Sequence, residues 1–126
     1  MKHQFLVAAV LALGFATYAN AACDYPVAPG KFPDGTQATL DEMKAAKAQV
    51  VKYNNDMEAY LQCIKSEYDS KLASQTSATN DQKAEMEKVQ NQKHNAAVDE
   101  VTEVTNRFNE QLRAYKAKNA AEKKPS

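Results

Sequence analysis

Between Gly35 and Pro125 the chain contains neither glycine nor proline. Proline removes an amide donor and glycine adds backbone freedom, so nothing in this long span forces a helix to stop. Within it, Met43, Val50, Met57 and Ile64 recur every seven residues, and Ala46, Tyr53 and Tyr60 follow each of the first three by three positions. That spacing places all seven side chains on one seam of an α-helix. Val51, Leu61, Tyr68 and Leu112 widen the apolar face beyond what a strict two-helix seam needs. The remainder is dominated by Ala, Lys, Glu, Gln and Asn, which are helix formers and solvating groups. A chain this polar buries only a thin core and needs a partner or a covalent staple.

Helix boundaries follow from capping chemistry. Thr39 followed by Glu42 is a capping box, with Asp41 and Glu42 placed at the positive end of the helix dipole. The first helix is expected over 39–72. Residues 73–81, rich in Ser, Thr and Asn, read as the linker, because these side chains compete for backbone hydrogen bonds. Thr79 with Gln82 forms a second box and opens a helix expected over 80–118. Its stripe begins with Met86 and Val89 and continues through Val98, Val101, Val104, Phe108, Leu112 and Tyr115. The last stretch, 119–126, is basic, contains Pro125 and is expected to fray as a disordered tail. Two long helices with a short linker imply an all-α antiparallel helical hairpin. In it Arg107, Arg113, Lys116 and Lys118 would lie near Asp41 and Glu42 and pair across the helices. The matching stretches YNNDMEAY (53–60) and FNEQLRAY (108–115) are explained by similar core layers on two helices.

The N-terminus reads as an export signal over 1–21: Lys2, an apolar run from Phe5 to Phe15, and Ala19 and Ala21 at a small-residue cleavage site. Cleavage there leaves about 105 residues, enough for one small domain. Residues 22–38 form a proline-rich arm, with Pro26, Pro29 and Pro33 favouring extended backbone and Pro33-Asp34-Gly35 favouring a turn. Cys23 and Cys63 are the only cysteines, and in an exported chain an even count favours a disulfide. Cys63 lies roughly 36 Å along the first helix at ~1.5 Å per residue. An extended arm reaches about 53 Å at ~3.3 Å per residue, whereas a helical one would span only ~24 Å. The bridge therefore requires an extended arm running back along the first helix, with Tyr25, Val27 and Phe32 packed on it. Lipidation of Cys23 is the competing reading. The small residues before it suit a lipid signal, but Asn20 stands where a large aliphatic side chain belongs.

Little in the chain supports catalysis. His94 is the only histidine after the signal, and Gln90, Asn91 and Val98 around it do not make a metal set. With both thiols paired, nucleophilic triads have no parts. Asp41/Glu42 and Asp99/Glu100 are sequence neighbours and point in different directions on a helix. There is no phosphate-cradling glycine loop, and Lys+Arg and Asp+Glu balance at 16 each, giving no field that would draw nucleic acid. The expectation is a non-enzymatic protein with no cofactor and no metal.

Cys23, PDG (33–35), LDEM (40–43), YNNDMEAYLQC (53–63) and NRFNEQLRAYKA (106–117) together resemble a group of small exported proteobacterial helical proteins of unknown function. That group has a Cys-Pro arm, a Pro-Asp-Gly turn and a helix carrying Y-L-x-C. The resemblance covers most of the chain after the signal. It implies a location in the Gram-negative envelope and brings no catalytic residues. The leading expectation is a periplasmic protein acting through protein contacts, with an unknown partner or a second copy completing a four-helix bundle. The alternatives are an envelope module tethered by lipid at Cys23 or by its basic tail, and a small-molecule binder using Tyr25, Tyr53 and Tyr60.

Overall fold

The computed structural model describes residues 22–124, so the expected leader lies outside the described residues. Two helices make up most of it: α1, Leu40–Ser74, and α2, Asn80–Glu122. Both capping boxes form. The Thr39 hydroxyl accepts from the Glu42 amide at 3.3 Å while the Thr39 amide donates to Glu42 Oε2 at 2.7 Å. Thr79 and Gln82 repeat the exchange at 3.2 and 2.9 Å. The hydrogen bond from the Thr39 amide, with a second from its hydroxyl, holds the Glu42 carboxyl below the usual carboxylate range.

The boundaries are wider than the composition suggested. The connection shrinks to 75–79, closed by Gln75 N–H donating to the Lys71 carbonyl and Ala78 N–H to that of Gln75. At the other end α2 continues to Glu122 instead of fraying after 118. Asn119, Ala120, Ala121 and Glu122 hold no breaker, and the Asn119 amide donates back to the Tyr115 carbonyl.

The seam on α1 is the one read from the heptads: Met43, Ala46, Val50, Tyr53, Met57, Tyr60 and Ile64 are all buried. On α2 only Ala97, Val104 and Phe108 are buried, with Val101, Leu112 and Tyr115 packed beside them. The expected Val98 is 42% exposed, and Ala97, fully buried, takes the seam position instead. Stepping back by sevens from Val104 selects Ala97. Val51 stays exposed on the outside of α1, so it does not extend the packed face.

The arm differs most from expectation. It runs antiparallel to α1, but it is seated between the helices and is held chiefly by α2. Phe32 packs edge-on against Phe108 with ring centroids 5.7 Å apart, and the Arg107 guanidinium lies 5.7 Å from the Phe32 centroid. Tyr25 meets Tyr60 of α1 at 4.9 Å, whereas Val27 points away and is 93% exposed. Strand alternation would put Tyr25 and Val27 on one face. The arm forms no strand, and proline-rich extended backbone with about three residues per turn separates them, so only Tyr25 reaches the helices.

Asp34, Gly35 and Thr36 then turn the chain into α1. The Asp34 carboxylate accepts from both the hydroxyl and the amide of Thr36, which lowers its pKa. Gly35 is buried against the α2 backbone: a Cβ there would sit 1.9 Å from the Gln111 carbonyl oxygen and 2.8 Å from the Tyr115 nitrogen. The glycine is thus required by close approach, not by backbone dihedrals, since no described residue has a positive φ. Gly30, with nothing within 4 Å of its would-be Cβ, is the internal control. Gly35→Ala should destabilise the fold by about 1–3 kcal/mol through overpacking, and Gly30→Ala by less than about 0.5 kcal/mol, as read from urea unfolding midpoints.

Candidate contact surface

Four side chains of α2 hold the arm by hydrogen bonds at both ends and along its length. The Tyr25 hydroxyl donates to Glu100 Oε2 at 2.5 Å, and Arg107 Nη2 donates to the Pro29 carbonyl at 3.3 Å. The Gly35 amide donates to Gln111 Oε1 at 2.9 Å, and Lys118 Nζ to the Ala38 carbonyl at 3.4 Å. Positions 100, 107, 111 and 118 are separated by seven, four and seven residues, which is one face of a helix. A segment with three prolines cannot satisfy its own backbone groups by regular structure, so side chains of α2 supply the partners. Sequence reading assigned Arg107 and Lys118 to pairing with Asp41 and Glu42. The charge of Lys118 does act on Glu42, but the direct ion pairs found among the described residues lie within single helices: Lys52–Asp56, Lys65–Asp69, Lys88–Glu85 and Arg107–Glu103. The signal available was the polar periodicity 100/107/111/118, which a search for apolar seams passes over.

The arm is pinned at its start by the Cys23–Cys63 disulfide, with the two Cα atoms 5.7 Å apart. A sulfur bonded to Cys63 is not free to carry a lipid thioether, so the lipid reading of Cys23 fails on this pairing. Both sulfurs lie within 4.8 Å of a Glu67 carboxylate oxygen. That trio is not a metal set while the sulfurs are bonded to each other, because the thiolate is the ligand.

The three tyrosines proposed as a binding zone do converge, but on one another and on Glu100. Tyr53 and Tyr60 are buried, Tyr25 covers Tyr60, and both Tyr25 and Tyr53 face the Glu100 carboxylate. Burial, followed by the charge of Glu100, pushes the Tyr53 phenol up to about 12. Tyr25 is raised as well, by burial and by its hydrogen bond to Glu100. Among the described residues, the Tyr53 hydroxyl and Arg107 Nε meet no hydrogen-bond partner. The contacts of Tyr25 with Tyr60 and Glu100 clasp the arm to both helices.

Beyond the clasp the packing changes. No residue from Lys65 to Ala96 is buried, although both helices continue through the span. The heptad positions that carried the seam now hold Glu67 and Lys71 on α1, and Gln90 and His94 on α2. Beyond Ile64 the apolar side chains stand at positions flanking the seam, and a groove follows the seam itself. Ile64, Tyr68, Met86 and Val89 line this groove of about 450 Å³ near the connection, with Glu67, Lys71, Glu85 and Lys93 around them. Glu67 belongs both to this groove and to the surroundings of the disulfide, so the groove begins where the arm ends. His94 is exposed and borders a different depression, with Leu61, Tyr68 and Asn91.

Comparison with protein-family models, with curated proteins and with solved structures found no match for the chain.

Two outcomes follow from the clasp. Replacing both Cys23 and Cys63 by serine should lower stability by about 2–4 kcal/mol, since the bridge closes a loop spanning 40 residues. Denaturant unfolding of the oxidised protein beside the double variant measures it. For Tyr53 the folded phenol binds its proton more tightly than the unfolded one, whose pKa is about 10. Its contribution is therefore complete below pH ~10 and is lost as the pH rises toward 12. Tyr53→Phe should leave the melting temperature at pH 7 unchanged or raised, because a buried hydroxyl without a partner is removed. It should also flatten the fall in melting temperature between pH 10 and 12.

Proposed function

We propose that this protein is a non-enzymatic helical hairpin of the Gram-negative periplasm that works by binding another protein through its bare tip. The observation that carries this reading is the boundary at Ile64 and Ala97. On one side the arm completes a packed core, and on the other the same two helices present apolar side chains to an open groove. Paired helices with half-exposed Tyr68, Met86 and Val89 gain from a third or fourth helical surface laid over them.

Support for the location comes from the disulfide, which fits an oxidising compartment outside the cytoplasm. Among the described residues no helix is long and apolar enough to cross a membrane. The reading as a non-enzyme draws on where the perturbed groups sit. Tyr25 and Tyr53, the two phenols with large shifts, owe them to burial beside Glu100 where the arm packs. The basic tail reading loses weight because Lys118 bonds the arm and the following residues continue α2.

A photocrosslinking amino acid at Tyr68 or Val89, introduced in cells, should give discrete adducts, while the same group at exposed Val51, which borders a separate shallow depression far from the connection, should not. Osmotic shock should release the protein without detergent, and its intact mass should show no acyl addition. Equal labelling from all three positions, or none from Tyr68 and Val89, would count against a contact role for the tip.

A further inference from the structure

We propose that the occupant of the tip groove is a second copy of this chain, docked tip over tip with the two hairpins pointing in opposite directions. This rests on the contact reading above and assigns its partner. Three observations carry it: the arm's position, the charge pattern at the groove and the placement of the apolar residues.

From Cys23 onward the arm occupies the seat between the helices, and its disulfide lies within 4.8 Å of Glu67, a residue that lines the groove. A second hairpin therefore cannot lie flat along the whole length, and only the stretch beyond Cys63 is low enough for close approach. Two copies meeting there overlap at their tips, each stopped by the other's arm.

The charges alternate around the groove. α1 climbs toward the connection while α2 descends from it, so Lys71 and Glu85 sit at the outer end and Glu67 and Lys93 at the inner end. Positive on α1 thus stands beside negative on α2 at one end, and the signs reverse at the other. A two-fold axis across the groove, perpendicular to the helices, exchanges outer and inner ends while keeping each helix over its equivalent. Lys71 then meets Glu67 of the partner subunit, and Lys93 meets Glu85 of the partner subunit. Tyr68, between Glu67 and Lys71, and Val89, midway between Glu85 and Lys93, come together near the centre. Sliding one copy by a turn would bring like charges closer, so the same four residues also set the register. Glu85 has a rival in Lys88 at 3.6 Å, but that pair is exposed and contributes little.

The test is sedimentation velocity on the full chain, expressed with its own leader and isolated oxidised, over micromolar to millimolar concentration. The wild type should show a reversible monomer–dimer equilibrium. Lys71→Glu and Glu67→Lys should each weaken association by about tenfold or more, and the two together should restore it to within about threefold. Glu67 lies beside the disulfide, so Lys93→Glu with Glu85→Lys repeats the swap on α2 at positions remote from it. Rescue of Lys71→Glu by Glu85→Lys instead would overturn this docking, because it pairs α1 with α2 in hairpins pointing the same way. A wild type that stays monomeric throughout also overturns the proposal. In that case adducts to a different protein from Val89 preserve the contact reading, and their absence removes both.

Discussion

The bond between Cys23 and Cys63 anchors the arm one residue before Ile64, the last buried position of α1. A pair of helices alone buries a single narrow seam, and this one is only seven residues deep on α1. The arm adds the missing layer. Held at Cys63, it lays Tyr25 over Tyr60 and Phe32 over Phe108, then brings Gly35 against the α2 backbone before turning into α1. Each contact depends on the arm starting at the right place, which the bridge enforces and a free N-terminus would not. Where the arm stops, burial stops.

The covered half also shows how a polar helix face can serve a fold. Glu100, Arg107, Gln111 and Lys118 would read as a solvated stripe, yet each bonds an arm group. Two of the four bonds go to carbonyls and one to an amide, so they depend on the arm's path more than on its side chains. The clasp at Tyr25, Tyr53 and Glu100 uses acidic and phenolic groups in the same structural way.

Much of this was legible in the residues. The heptads of α1, both capping boxes, the hairpin and the need for an extended arm to reach Cys63 all follow from local spacing and chain length. The path of the arm did not, because its partners are polar and lie more than seventy residues away in sequence. Val98 was favoured over Ala97 since size outweighs register when apolar residues are counted, while helix packing selects register first. The bare tip was hidden for a related reason. Met86 and Val89 look like a weak continuation of the α2 stripe, and only the register set by Ala97 and Val104 shows them to be off the seam.

A hairpin with one closed half and one open half has a distinctive dynamic signature. Amides in the closed half open only with the whole fold, whereas those at the tip open by local unwinding. Native-state hydrogen exchange, measured on dilute oxidised protein in its monomeric form, reads the contrast residue by residue. Residues 43–64 and 97–118 should exchange at or near the rate of global unfolding, and residues 66–93 should exchange at least about a hundredfold faster. Uniform protection from 43 to 118 in the monomer would contradict the division at Ile64 and Ala97 on which the contact surface depends.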